Sequence, residues 1–198
     1  PVRLKFILDS LSRSIKNLTV LDIGCGGGIL SEPLSRLGAD VTAIDENEQA
    51  IKIARSHAKK MNLNIKYING NLSKDFTKKK FDVITCMEVL EHVDDVSITI
   101  EKISKLLKKD GLFVGSTINQ TIISYITAIF FAENIFKIVP KRTHSWSQFI
   151  KPNKLKKHLF EGNFKDIKFQ GVFYNLISKK WKLIENQSIN YMFSCKAK

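Results

Sequence analysis

Residues 21–28, LDIGCGGG, place four glycines in five positions directly after a short apolar run. Glycine inside a regular element costs roughly 0.5–1 kcal/mol relative to alanine, so this cluster predicts a backbone that bends sharply or lies close to a ligand. The preceding run, TVLDIG, is β-branched and bounded by glycine, which predicts a strand buried on both faces. Asp22 lies inside that strand, and we expect it to support the glycine loop from behind, because a buried carboxylate needs hydrogen-bond partners.

Strand and helix patterns alternate from this loop to Asn119, which predicts a doubly wound, mostly parallel α/β sheet. Beyond Asn119 we expect a helix after Pro152 and two strands that return as a hairpin. We predict one domain over residues 1–198, with an apolar insertion at about residues 119–150. Because the chain starts at Pro1, we also expect a native N-terminal segment to precede it. The expected strands are residues 19–24, 40–45, 64–69, 81–86, 111–118, 167–175 and 188–196.

The composition indicates a globular protein of a reducing compartment. Three cysteines occur without a C-x-x-C pair, which argues against a disulfide framework and against a structural zinc site. The net charge of +13 favours an anionic partner, either nucleic acid or an acidic membrane, although lysines spread over the chain also fit a solvated surface. No aromatic and basic stacking platform is evident, which makes nucleic acid the less favoured partner.

The position of Asp45 indicates the class of cofactor. Ligands of open α/β sheets bind at the carboxyl ends of the strands, and Asp45 ends the second strand, 21 residues after Gly24. A carboxylate there can accept both hydroxyls of an adenosine ribose, which fits NAD or S-adenosylmethionine; alternatively, it caps the following helix. The G-x-G-x-x-G dinucleotide pattern, counted from Gly24 and Gly26, places Ile29 at the third glycine, which disfavours NAD.

Three side chains after the fourth strand offer acid–base or metal chemistry. On a helix, the spacing of Glu88, Glu91 and His92 would place them on one face, at the same edge as the glycine loop. His92 would then be a general base, since an imidazole has an ordinary pKa near ~6.5. Alternatively, the three bind a divalent metal, or they form only a surface cluster. Imidazole suits zinc, manganese or iron better than magnesium.

These motifs carry a family resemblance. The loop LDIGCGGG, Asp45 and the segment FDVITCMEVLEHV resemble class I S-adenosylmethionine-dependent methyltransferases. The segments CMEVLEHV, STINQT, AENIFKIVPKRTH, FIKP and NYMF resemble more closely the ubiquinone-biosynthesis O-methyltransferases, which methylate catechol hydroxyls of polyprenyl precursors. The resemblance extends over essentially the whole chain. It implies a Rossmann-like fold of seven strands in the order 3-2-1-4-5-7-6, with strand 7 antiparallel.

The same resemblance implies roles for individual residues. Arg3 would contact the carboxylate of S-adenosylmethionine, and the loop with Gly24 and Gly26 would lie under its methionine portion. Asp45 would bind the ribose, and Met87 would lie beside adenine or sulfur. Magnesium is the metal that the resemblance implies for the Glu-Glu-His cluster. The rival hypotheses are an RNA or other small-molecule methyltransferase of this fold, and a catalytically idle membrane-docking relative.

The apolar insertion predicts contact with a membrane surface. It is too short and too interrupted to span a bilayer. We expect Ile126, Phe130 and Phe131 to enter the interface while Lys141 and Arg142 face anionic headgroups, close to the entrance for a polyprenylated phenolic substrate. The alternative is a lid packed on the core. The expected location is therefore cytoplasmic, peripherally attached to the inner face of a membrane.

Overall fold

The computed structural model describes residues 2–72, 79–121, 149–175 and 180–198. Eight strands of these residues form one sheet in the order β3-β2-β1-β4-β5-β8-β6-β7. The strands are β1 (Thr19–Ile23), β2 (Asp40–Asp45), β3 (Ile65–Asn69), β4 (Phe81–Met87), β5 (Leu107–Ile118), β6 (Phe164–Asn175), β7 (Lys180–Ile184) and β8 (Asn190–Ala197).

The sheet is parallel from β3 to β5, and β8 pairs antiparallel with both β5 and β6. The doubly wound, mostly parallel sheet predicted from the sequence and the strand order that the resemblance implies are confirmed, with one correction. The sheet has eight strands rather than seven, because β7 pairs antiparallel with the end of β6 and adds a further edge. In KWKLI, Trp181 and Leu183 do alternate with the two lysines, but the run has only five residues, of which the first three are exposed, so its strand signal is weak.

Within the described ranges, five α-helices cover the two faces of the sheet, and each face has its own apolar core. The side chains of α1, α2 and α3 pack on one face, and those of α4 and α5 pack on the other. Strands β1 and β4 contribute buried residues to both cores, which is why their sequences are apolar with little alternation. The helices are α1 (Val2–Ser10), α2 (Ser31–Arg36), α3 (Glu48–Lys60), α4 (Val96–Leu106) and α5 (Pro152–Glu161).

The segment after β4 differs from its prediction. Glu88 has a φ of +56°, which ends the strand in a left-handed turn, and only Leu90–His92 form a short 3-10 helix. The expectation that Glu88, Glu91 and His92 share one helix face is therefore wrong. The Glu88 N–H donates to the Ser116 carbonyl of β5 at 3.0 Å, so the chain is still bonded to the sheet where the helix was expected to begin, and Val89 then packs against Gly24.

No helix among the described residues is long and apolar enough to cross a membrane. Residues 122–148 lie outside the described parts, and with them Ile126, Phe130, Phe131, Lys141 and Arg142. Their membrane role stays a prediction, as does the single-domain organisation with an insertion.

Candidate active site

The glycine loop joins β1 to α2, and its glycines serve different purposes. Gly24, Gly26 and Gly28 all have positive φ, at +68°, +51° and +84°. A Cβ at Gly24 would lie 2.2 Å from Val89 Cγ2, and one at Gly28 would lie 2.3 Å from the Tyr67 hydroxyl oxygen. A Cβ at Gly26 would meet no atom within 4 Å. Two of these glycines are therefore required by packing, while Gly26 borders open space at the carboxyl edge of the sheet.

Asp45 holds this loop in place. Its Oδ2 accepts a hydrogen bond from the Gly26 N–H at 2.8 Å, and its Oδ1 accepts one from the Asn47 N–H at 2.8 Å. The helix cap is Asn47, whose side chain accepts from Ala50 N–H, so the alternative role of Asp45 as the N-cap of α3 is wrong. Each carboxylate oxygen retains a second acceptor site, so Asp45 can position the loop and still bind the hydroxyls of a ribose.

A buried carboxylate supports the loop from below. Asp22 is 2% exposed, and it accepts hydrogen bonds from the Ser31 hydroxyl at 2.6 Å and the Thr85 hydroxyl at 2.7 Å. Ser31 is the first residue of α2, so this bond closes the loop between β1 and the helix. The expected support from behind is confirmed. Burial raises the pKa of Asp22, while both hydroxyl donors and Arg3 oppose that rise.

The turn after β4 brings two carboxylates to the same edge, and we call the segment Glu88 to His92 the acidic turn. Glu88 Oε1 accepts from the Ser116 hydroxyl at 2.6 Å and lies 3.7 Å from the Arg3 guanidinium. Glu91 is 3% exposed; its Oε2 accepts from the Thr117 hydroxyl at 2.8 Å, and its Oε1 is buried without a hydrogen-bond partner among the described residues.

Glu91 is the most perturbed acid of this turn. Burial, and next the negative charge of Glu88, raise the pKa of Glu91 to about 8. A buried carboxyl with one unpaired oxygen beside a second carboxylate is an arrangement that enzymes use to hold or accept a proton. The acidic turn therefore has acid–base capacity close to neutral pH.

The comparisons with known proteins agree with this geometry. Residues 21–115 match the family described as methyltransferase domain. The ubiquinone biosynthesis O-methyltransferase of Pelagibacter ubique (strain HTCC1062) is 41% identical over an alignment that covers 97% of this chain and 84% of that protein. The same-named protein of Coxiella burnetii (strain RSA 493 / Nine Mile phase I) is 40% identical over 195 residues, covering 97% and 82%.

The chain belongs to the ubiquinone biosynthesis O-methyltransferase family. Solved structures show the same fold at lower identity. Magnesium protoporphyrin IX methyltransferase from Synechocystis PCC 6803 with bound SAH has a TM-score of 0.70 at 20% identity, covering 100% of this chain and 80% of that one. The YcgJ protein from Bacillus subtilis has a TM-score of 0.72 at 12% identity, covering 100% and 98%. The class I S-adenosylmethionine-dependent methyltransferase predicted from the sequence is confirmed.

The structure of this methyltransferase brings most of the expected site residues to one edge. Gly24, Gly26, Asp45, Met87 and Glu88 all lie at or just after the carboxyl ends of parallel strands. Arg3 of α1 reaches the same edge through its approach to Glu88. Their contacts with the cofactor stay predictions.

Sequence reasoning missed Ser116 and Thr117, the two hydroxyl donors to the carboxylates of the acidic turn. The sequence could have identified them, because Ser116 and Thr117 lie near the end of the fifth predicted strand, which reaches this edge of the sheet. His92 is exposed, and it does not join the two glutamates as a metal-binding set. Within the described parts of the chain, no three His, Cys, Asp or Glu side chains are grouped to hold a metal ion.

Proposed function

We propose that this methyltransferase transfers a methyl group from S-adenosylmethionine to a hydroxyl of a polyprenylated catechol or of the corresponding demethyl-quinol. The relatives named above support ubiquinone biosynthesis as the setting. One observation carries the proposal: open space at Gly26, the carboxylate of Asp45 and the acidic turn lie side by side at the carboxyl edge of the sheet. This arrangement suits an adenosine-linked methyl donor and an acceptor that must lose a proton.

The proposed step is an in-line displacement. The bond from the methyl carbon to sulfur breaks as the bond to the phenolic oxygen forms, S-adenosylhomocysteine leaves, and the phenolic proton passes to a base. Much of the acceleration comes from holding oxygen, carbon and sulfur in line. A phenol has a pKa near ~10, so a base is still needed at neutral pH.

Two side chains of the acidic turn can serve as that base. Glu91 is buried beside Glu88 with one unpaired oxygen, and its pKa of about 8 matches the task. His92, the base expected from the sequence, is exposed and lies at the end of the 3-10 turn, next in sequence to Glu91. Both residues are candidates for the base, and the activities of their variants distinguish between them.

A divalent metal remains a prediction from the resemblance. The described side chains do not fit it, since Glu88, Glu91 and His92 are not gathered into a metal-binding group. We therefore derive no step through a metal. Turnover of protein treated with EDTA, before and after addition of magnesium, tests the prediction directly.

The experiment combines calorimetry with methyl transfer to a prenylated catechol. Wild-type protein should bind S-adenosylmethionine and release S-adenosylhomocysteine in the presence of the acceptor. Glu91→Gln or His92→Ala should lower kcat at least tenfold with the cofactor Kd unchanged within twofold, because general-base catalysis contributes roughly 10²–10⁴-fold. Glu101→Gln is the matched control, since Glu101 is an exposed helix residue paired with Lys105. Absence of cofactor binding, or full activity in both variants, would contradict the proposal.

We also propose that the enzyme works at the inner face of a membrane, where a polyprenylated substrate resides. The net charge of +13 supports attraction to anionic lipid. Sedimentation with vesicles of phosphatidylglycerol and phosphatidylcholine should show binding that weakens as salt rises. Equal binding to vesicles of phosphatidylcholine alone would contradict an electrostatic contribution.

A further inference from the structure

The end of the β6–β7 hairpin extends beyond the rest of the sheet. Val172 of β6 pairs with Asn190, the first residue of β8, and Asn190 pairs in turn with Ile118, the last residue of β5. The next three residues of β6, from Phe173 to Asn175, pair only with β7 among the described strands. The hairpin therefore projects past the carboxyl edge, on the side where the proposed reaction takes place.

An apolar pocket lies at the base of this projection, and we call it the hairpin pocket. Its volume is about 390 Å³, within the range of small-molecule sites. No charged side chain is among its described lining residues. Phe173 is 42% exposed, a large aromatic surface that the core does not cover. The lining residues are Val172, Phe173, Ile184, Asn186, Ser188 and Ile189.

Hydrogen bonds fix one wall of the hairpin pocket to the carboxyl edge. Asn119 follows β5 directly; its side-chain N–H donates to the Gln187 carbonyl at 2.8 Å, and its backbone N–H donates to the Ile189 carbonyl at 2.8 Å. The Thr121 hydroxyl donates to the Ser188 carbonyl at 2.6 Å. The segment that ends β5 beside the acidic turn thus continues, through these bonds, into the wall of the pocket.

The strand order gives the approximate lateral distance between the acidic turn and the strand that lines the pocket. Three strand spacings separate β4, which leads into the acidic turn, from β6, and at roughly 4.8 Å each they amount to about 14 Å. This is longer than one aromatic ring. A ring held at the acidic turn would therefore reach the pocket only through a chain attached to it.

We propose that the hairpin pocket binds the first isoprene units of the substrate's tail while the catechol ring lies at the acidic turn. This inference rests on the proposed function, which supplies a substrate with such a tail. An uncharged, mainly hydrocarbon lining matches an isoprenoid chain, whose burial is favoured in proportion to its apolar area. The Ser188 hydroxyl and backbone N–H both donate to Asn186 Oδ1, so the hydroxyl of Ser188 and this oxygen are already paired within the wall of the pocket.

The test compares two acceptors: a catechol with a three-unit farnesyl chain and the same catechol with only a methyl group. Phe173→Ala should lower kcat/KM for the farnesyl catechol at least fivefold and leave kcat/KM for the methyl catechol within twofold. Phe160→Ala is the matched control, because Phe160 is 66% exposed at the end of α5 and does not line the pocket. Ile184→Ser provides a second variant of the lining, should Phe173→Ala fold poorly.

Calorimetry separates this inference from the proposed function. Binding of the farnesyl catechol is measured in the presence of S-adenosylhomocysteine, so that no turnover is needed. Wild-type protein that binds the tailed catechol at least fivefold more tightly than the variants, without methylating it, would support the pocket and contradict the proposed function. Two results would overturn the inference. One is methyl transfer by a protein whose affinity for the farnesyl catechol is the same in wild type, Phe173→Ala and Ile184→Ser. The other is an equal loss of kcat/KM for the farnesyl and the methyl catechol.

Discussion

Substitution of alanine at two neighbouring glycines should separate ligand binding from folding. At Gly26 the added methyl group meets open space, so the cost to folding is only the strain of a left-handed alanine, about 1–2 kcal/mol. The same methyl group lies in the space that we assign to the cofactor. Crowding of a packed contact costs about 1–3 kcal/mol, which corresponds to a rise in the cofactor Kd of about 5- to 150-fold.

At Gly28 we expect the substitution to affect folding more than cofactor binding. The added Cβ would lie 2.3 Å from the Tyr67 hydroxyl oxygen and 3.1 Å from its Cζ, at a φ of +84°. Backbone strain and overpacking together predict a loss of about 2–5 kcal/mol in the free energy of unfolding. Tyr67→Phe removes the oxygen that is closest to the new methyl group. The double variant should therefore be more stable than the sum of the two single losses predicts, by about 1 kcal/mol.

Urea unfolding and calorimetry with S-adenosylhomocysteine measure the two effects separately. Unchanged m-values would show that the unfolding transitions are comparable. The reasoning fails if Gly26→Ala is as destabilising as Gly28→Ala and leaves the cofactor Kd unchanged. It also fails if Tyr67→Phe does not reduce the loss of stability that Gly28→Ala causes.

Three carboxylates give further predictions. Asp45→Asn should weaken cofactor binding by about 1–3 kcal/mol in calorimetry, because a charge-assisted acceptor is lost. Burial raises the pKa of Asp82, but donation from Lys108 and Thr19 outweighs it and lowers the pKa to about 2. In the unfolded chain the pKa of this carboxyl is ~3.9, so the ionised Asp82 stabilises the fold above that pH, and its contribution disappears as pH falls through 2. Asp82→Asn should lower the free energy of unfolding by about 1–2 kcal/mol at pH 7, an estimate that is reduced because its partners are exposed. The pKa of Glu91 is raised to about 8, so the folded protein loses stability as pH rises from 4.5 to 8, where the carboxyl would ionise in the unfolded chain first. The free energy of unfolding of Glu91→Gln should therefore exceed that of wild type by about 1–3 kcal/mol at pH 8 with EDTA present.

Each of these predictions has an outcome that contradicts it. An unchanged cofactor Kd in Asp45→Asn would remove Asp45 from the site. Equal urea midpoints for Asp82→Asn and wild type at pH 7 would show that the ion pairs of Asp82 contribute nothing measurable. A Glu91→Gln protein whose stability depends on pH as steeply as wild type would mean that another group titrates in this range.

The succession of strands and helices along the chain and the place of the glycine loop could be predicted from the sequence, because both depend on local signals. The order of the strands within the sheet was implied only by the family resemblance. Buried parallel strands are short apolar runs, and helices show their apolar stripe at a period of 3.6 residues. Asp45 was found because a carboxylate at a strand end, a fixed number of residues after the glycines, is itself a sequence pattern. The predicted contact of Asp45 with a ribose needs no knowledge of which side chains pack around it.

Other features depend on contacts between residues far apart in the chain. The left-handed turn at Glu88, the burial of Glu91 against Thr117 and the unpaired Oε1 all arise where β4 lies against β5. The helical spacing of Glu88, Glu91 and His92 suggested a shared face, but Glu88 stays bonded to Ser116 of β5 and adopts a left-handed turn instead. Local propensity is worth only tenths of a kcal/mol per residue, so tertiary packing decides such short segments.

Local patterns in the sequence thus determined the layered α/β fold, the glycine loop at its carboxyl edge and the acidic residues that follow β4. Only the tertiary structure decided that Gly28 makes room for Tyr67 while Gly26 borders open space, and that Glu91 is buried while His92 is exposed. The physical reason is that periodicity reports which face of an element is buried, whereas the surroundings of one atom depend on side chains that only the folded sheet brings together.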